Sequence, residues 1–145
     1  MEQIEILLVE DNVYDAELTI QALREGNIVN KIVHLTDGAD ALDFIYCKGK
    51  YEGQVCGIPK LILLDIKMPK VTGIEVLKEL KADERTRHIP VVMLTSSNLD
   101  PDIEKCYALG VNSYVVKPVG FDDFTRAVNQ LGVYWMMLNA ATNKS

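Results

Sequence analysis

Residues 61–65 read Leu61-Ile62-Leu63-Leu64-Asp65: four apolar side chains in unbroken succession, closed by a carboxylate. A strand with one face in water alternates apolar and polar residues. A continuous apolar run of this length instead suits a parallel strand covered by helices on both faces. Working outward, Ile6-Leu7-Leu8-Val9 and Val91-Val92-Met93-Leu94 repeat the signature, and shorter runs stand at Ile32-Val33 and Tyr114-Val115-Val116. These five are predicted strands, with the first, third and fourth central.

The segments between them carry helix signals. Asn12 is placed to cap a helix in which Ala16, Ile20 and Leu23 share a face before Gly26 stops it. Asp37 caps a second, with Leu42, Ile45 and Tyr46 facing inward. Thr72 with Glu75 fits a capping box opening a third. Asp100-Pro101 sets a cap and a first-position proline before a fourth, ended by Gly110. In the last, Phe121, Phe124, Val128, Leu131, Trp135 and Leu138 follow a 3,4,3,4,3 spacing. Strand–helix alternation implies right-handed crossovers and a doubly wound α/β sheet. Residues 48–59, with Gly49, Gly53 and Gly57, form the longest connection and read as a mobile surface loop.

With 145 residues and 48% apolar content, the chain suffices for one domain that buries roughly two thirds of its unfolded surface. Fifteen Lys and Arg against 21 Asp and Glu give a net charge of −6, which disfavours nucleic acid and anionic membrane as partners. Cys47, Cys56 and Cys106 form no CxxC, supporting neither a disulfide framework nor a zinc ribbon and suggesting a reducing compartment. The acidic N-terminus and its four-residue apolar run cannot serve as a signal-peptide core or span a bilayer, so a cytoplasmic location is expected.

Ligands of open α/β sheets bind beyond the carboxyl ends of the strands. There the sequence sets Glu10 and Asp11, Asp65, Thr95-Ser96-Ser97, and Lys117-Pro118. If the first and third strands are neighbours, the three carboxylates converge, and two like charges about 4 Å apart repel by roughly 4 kcal/mol at an effective dielectric of about 20. Such a cluster calls for a cation, and an open all-oxygen site suits Mg²⁺, with Mn²⁺ as the alternative. Adding Lys117 and the Thr95 hydroxyl supplies what phosphoryl transfer requires: charge neutralisation, positioning and donors for the equatorial oxygens. His34 and His88 have no ligand spacing and receive no role. Gly49-Lys50 lacks the remaining residues of a phosphate loop.

Leu8-Val9-Glu10-Asp11-Asn12, Leu63-Leu64-Asp65 followed by Pro69 and Gly73, Leu94-Thr95-Ser96-Ser97, and Tyr114 three residues before Lys117-Pro118 resemble the receiver domains of two-component response regulators over nearly the whole chain. The resemblance implies a flavodoxin-like (βα)5 fold with strand order 2-1-3-4-5 and a single domain over residues 1–145. It makes Asp65 the phosphoacceptor and gives the metal to Glu10, Asp11, Asp65 and the Lys67 backbone carbonyl, Glu10 acting mainly through metal-bound water. Lys117 would pair with a phosphoryl oxygen, Thr95 would turn its hydroxyl toward it, and Tyr114 would swing inward behind. The Lys117–Pro118 bond would be cis. Lys67 and Ser97 would tune the lifetime of the acyl phosphate. The protein would be no enzyme toward other substrates, catalysing only its own phosphotransfer and autodephosphorylation, with a sensor histidine kinase as partner.

A dehalogenase-type phosphatase also places an aspartate after a strand, but needs a second Asp as general acid where this chain has Lys67. A flavin phosphate is excluded by the negative charge of Glu10, Asp11 and Asp15. The remaining rival is a pseudo-receiver, an interaction module without phosphorylation, against which the intact acidic trio and Lys117 argue. Only seven residues follow Leu138, so a stand-alone receiver is expected. The glycine-bearing loop, Arg87-His88-Ile89-Pro90 and Tyr134-Trp135 resemble the small regulators partnered with bacterial phytochromes. Val133, Tyr134, Met136 and Met137 leave the last helix apolar nearly all round to about residue 138, and a homodimer would cover it.

Overall fold

The protein is described here by a computed structural model covering residues 6–25, 31–54, 58–111 and 113–131. Five parallel strands, β1 (Ile6–Val9), β2 (Ile32–Leu35), β3 (Leu61–Asp65), β4 (Val91–Thr95) and β5 (Ser113–Val116), form one sheet in the order β2-β1-β3-β4-β5. Five helices, α1 (Val13–Glu25), α2 (Gly38–Tyr46), α3 (Gly73–Ala82), α4 (Asp102–Ala108) and α5 (Phe121–Leu131), alternate with them. The unbroken apolar runs have the cause inferred from their pattern. Leu7, Val9, Ile62, Leu64 and Met93 point to one face, beneath α2, α3 and α4. Ile6, Leu8, Leu61, Leu63, Val92 and Leu94 point to the other, beneath α1 and α5. β1, β3 and β4 are accordingly buried throughout, whereas the edge strand β2 is half-exposed at every residue.

The helix caps follow the residues that announce them. The Asn12 side chain accepts from the Asp15 N–H at 2.9 Å, the Asp37 carboxylate from Asp40 N–H at 2.7 Å, and the Thr72 hydroxyl oxygen from Glu75 N–H at 3.2 Å. α4 departs by one residue. It begins at Asp102 rather than Pro101, with Asp100 accepting from the Asp102 N–H at 2.9 Å.

The connection after α2 is a larger correction. Gly49–Tyr51 is a 3-10 turn fastened to α2: the Tyr51 hydroxyl donates to the Asp40 carboxylate, the Lys50 ammonium lies 3.1 Å from it, and the Tyr51 ring packs edge-on against Phe44. A half-buried aromatic and an acidic helix residue thus tie down the first half of what glycine content suggested was a free loop. Cys106 is a free buried thiol, but Cys47 is disulfide-bonded, which removes the force of cysteine spacing as an argument for a reducing compartment. The expected stop at Gly26 and the apolar helix end at residues 133–138 lie outside the described residues. Among the described residues no helix is long and apolar enough to cross a membrane.

Candidate functional site

Strand register assembles the site. Val9 pairs with Leu64, so the next residues, Glu10 and Asp65, emerge side by side at the carboxyl rim. Asp65 pairs with Leu94 and Thr95 with Val116, which brings Thr95 and Lys117 to the same rim. Carboxylate oxygens of Glu10, Asp11 and Asp65 lie within 4.8 Å of one another. Glu10 and Asp65 are buried and Asp11 is exposed, so the cluster is rooted in the sheet and opens to solvent on one side. Beside it is a cavity of about 180 Å³ whose walls include Asp11, Asp65, Lys67, Thr95, Asp100 and Lys117.

Two backbone devices aim Asp65. Gly73 donates its N–H to the Ile66 carbonyl at 2.9 Å, and a Cβ on Gly73 would run into the Asp65 carbonyl oxygen. Only glycine permits this close return of α3 onto the end of β3. At the other side, the Lys117–Pro118 peptide is cis, and the Lys117 N–H donates to the Thr95 carbonyl at 2.7 Å.

The Lys117 ammonium reaches three carboxylates: Glu10 at 3.0 Å, Asp15 at 3.3 Å and Asp65 at 3.4 Å. Burial works against its charge, but the bond to Glu10 and the nearness of Asp65 outweigh this and raise its pKa. Asp65 is less well compensated. Burial, then the hydrogen bond and negative charge of Glu10, push its carboxyl up to about 8 despite Lys117. A divalent cation among these oxygens would relieve that imbalance, and an all-oxygen donor set suits a hard ion.

The Thr95 hydroxyl is turned into its own loop, 3.0 Å from the Ser97 carbonyl and 3.4 Å from Asp100 Oδ2, while it accepts from the Ser97 N–H at 3.3 Å. Ser97 Oγ accepts from the Leu99 N–H at 3.0 Å. Tyr114 is half-buried, its ring edge-on to Tyr107 with centroids 6.2 Å apart. His34 donates from Nε2 to the Glu10 carbonyl at 2.8 Å, a structural bond that braces the end of β1.

Two acidic residues escaped assignment to the site from sequence. Asp15 lies in the first turn of α1, where the Asn12 side chain accepts from its N–H, and only its negative charge close to Glu10 and Asp11 was legible in the sequence. Asp100 was legible only as a cap; its burial and its approach to Thr95 and Lys67 depend on tertiary packing.

A doubly wound sheet with an acidic trio, a lysine and a threonine hydroxyl on one rim defines a phosphoacceptor switch module. The chain belongs to the response regulator receiver domain family, which it matches over residues 6–129, and so to two-component signalling, where receivers work with histidine kinases. The structure of the bacteriophytochrome response regulator AtBRR is similar at 49% identity and a TM-score of 0.86, covering 93% of this chain and 96% of that one. Response regulator Rcp1 of Synechocystis is 37% identical over 90% of this chain and 88% of its own length. Its Mn²⁺-bound crystal structure superposes with a TM-score of 0.72, at 38% identity over 90% of this chain and 92% of that one. The probable methanogenesis regulatory protein FilR2 of Methanothrix harundinacea is 42% identical over 92% of this chain and 84% of its length.

Proposed function

We propose that Asp65 is the phosphoryl acceptor of a response regulator receiver. The observation that carries this is the placement of Asp65 at the centre of the rim, within 4.8 Å of Glu10 and Asp11 and 3.4 Å from the Lys117 ammonium. In the reaction, a carboxylate oxygen of Asp65 attacks the phosphorus of a phosphohistidine on the kinase. The new O–P bond forms as the P–N bond breaks, and the imidazole nitrogen keeps the electron pair and takes a proton from solvent. Water later attacks the acyl phosphate, returning the carboxylate and inorganic phosphate.

Glu10, Asp11, Asp65 and the Lys67 backbone carbonyl are the residues that would hold Mg²⁺. When bound, the ion offsets the like charge of the carboxylates and the incoming phosphoryl oxygens. Lys117 turns from Asp65 to a phosphoryl oxygen. Thr95 gives its hydroxyl hydrogen to another, and Tyr114 moves into the space Thr95 leaves, altering the surface of β5 and α4 that partners read. Lys67 and Ser97, two residues beyond Asp65 and Thr95, govern water's approach to the acyl phosphate.

Similarity to the bacteriophytochrome response regulator AtBRR supports a bacterial phytochrome as the kinase. A cytoplasmic location fits that assignment, as does chemistry confined to the protein's own phosphotransfer and dephosphorylation. The apolar sequence of residues 133–137 supports a homodimer, and light scattering at high micromolar concentration tests it: a monomer in both phosphorylation states would refute it. For the central reading, acetyl phosphate and Mg²⁺ should add one phosphoryl mass to the wild type and none to Asp65→Asn. Equal labelling of both would dispose of the assignment.

A further inference from the structure

Asp100 is the buried acidic residue of the rim that the reaction above does not use. Its side chain is 4% exposed, and its two oxygens have separate engagements. Oδ1 accepts the Asp102 N–H at 2.9 Å and so caps the first turn of α4. Oδ2 lies 3.4 Å from the Thr95 hydroxyl and 3.6 Å from the Lys67 ammonium. Thr95 and Lys67 flank Asp65, and both also line the phosphoacceptor cavity.

We propose that Asp100 is a positioning residue that holds Thr95 and Lys67 in the resting arrangement and must release them when a phosphoryl group arrives on Asp65. The proposal rests on Asp65 being the acceptor. A hydroxyl has one hydrogen to give. In the resting protein it is shared between the Ser97 carbonyl and Asp100 Oδ2; on phosphorylation it passes to the phosphoryl oxygen, and Asp100 loses a donor. The Lys67 ammonium likewise faces either the Asp100 carboxylate or the negative charge building on Asp65. One carboxylate therefore competes with the phosphoryl group for a hydroxyl donor and a cation, and the strength of its hold is subtracted from the affinity of the phosphorylated arrangement. Because the other oxygen of the same carboxylate caps α4, release at Oδ2 also frees the Asp100 side chain to reorient at the first turn of that helix. Phosphorylation is thus transmitted to α4 through Asp100, alongside the movement of Tyr114.

Beryllofluoride with Mg²⁺, a stable mimic of the acyl phosphate, is the probe. Asp100→Ser retains a capping oxygen for α4 and removes Oδ2 with its charge. Asp100→Asn retains the shape and the capping oxygen, and replaces the charged acceptor at Oδ2 with an amide N–H donor that can hold neither the Thr95 hydrogen nor the Lys67 ammonium. Both variants should bind beryllofluoride about five-fold more tightly than the wild type, the net scale of one ordinary hydrogen bond, as the long 3.4 Å and 3.6 Å contacts of Oδ2 warrant. In the ligand-free variants the Thr95 methyl resonance should move toward its beryllofluoride-bound position. A merely structural Asp100 would lower the melting temperature with affinity and resonance unchanged or worse. Affinity at or below wild type in Asp100→Ser overturns the proposal; should the serine variant not fold, the same affinity in Asp100→Asn overturns it equally. Failure of the wild type to bind the mimic, with Asp65→Asn equally silent, would instead strike the phosphoacceptor reading itself.

Discussion

Asp65, the proposed phosphoryl acceptor, is kept in an environment hostile to its charge. Its carboxyl is pushed up to about 8 from an ordinary 3.8 by burial and by Glu10, with Lys117 offsetting only part of this. Between those two values the metal-free folded protein retains a proton at Asp65 that the unfolded chain has released. Stability therefore falls as pH rises through that window, by at most about 1.4 kcal/mol per pH unit. Asp65→Asn should abolish the slope and melt several degrees above the metal-free wild type at pH near 8. Parallel pH curves for the two proteins would contradict this. Mg²⁺, by favouring the ionised carboxylate, should flatten the wild-type slope and bind more tightly as pH rises, a trend calorimetry can follow. Lys117 presents the reverse case. Its ammonium serves the buried Glu10 and Asp65 together. Lys117→Met should cost roughly 3 kcal/mol in urea unfolding, because it strands paired charges in the interior. Excess Mg²⁺ should restore part of that loss; a cost below about 1 kcal/mol would mean that Lys117 does not hold the cluster together.

At the scale of elements, the junction between β3 and α3 decides where Asp65 sits. Gly73 lets the helix start against the Asp65 backbone, and Gly73→Ala forces a Cβ into the Asp65 carbonyl oxygen. A cost of about 1–3 kcal/mol is expected, as for other overpacked substitutions, together with slower labelling by acetyl phosphate, since the displaced atom belongs to the acceptor residue. Unchanged stability and labelling would show that the junction yields freely. The signals for such elements are local, and for that reason most were legible in the sequence. Asn12, Asp37 and Thr72 cap the helices they announce, and the unbroken runs at residues 6–9, 61–64 and 91–94 are the covered strands. The acidic convergence also followed from strand ends once β1 and β3 were taken as neighbours. What stayed hidden depends on contacts distant along the chain. Tyr51 anchors the 49–51 turn only because Asp40 and Phe44 meet it across α2. Asp100 is more than a cap only because β3 and β4 bring Lys67 and Thr95 to it.

Across the whole molecule, burial is distributed so that the rim is rigid at its centre and yielding at its edges. β1, β3 and β4 are buried throughout, with helices above and below, and they carry Glu10, Asp65 and Thr95 at their ends. β2 is half-exposed along its whole length, and β5 alternates buried and half-exposed residues, Tyr114 among the latter. The inner strands can exchange their amide hydrogens only when the molecule unfolds as a whole, whereas an edge strand opens by losing one neighbour. Native-state hydrogen exchange of the metal-free protein should therefore find Leu7, Leu63 and Met93 protected to the global unfolding free energy. Val33 and Tyr114 should be less protected by roughly 1–2 kcal/mol. Loading with beryllofluoride and Mg²⁺ should slow exchange in β4 and β5 far more than in β2, since only the former pair carries Thr95 and Lys117 to the phosphoryl group. If β2 and β5 respond alike, the switch is a general tightening of the sheet, and Thr95 and Tyr114 lose their special place in it.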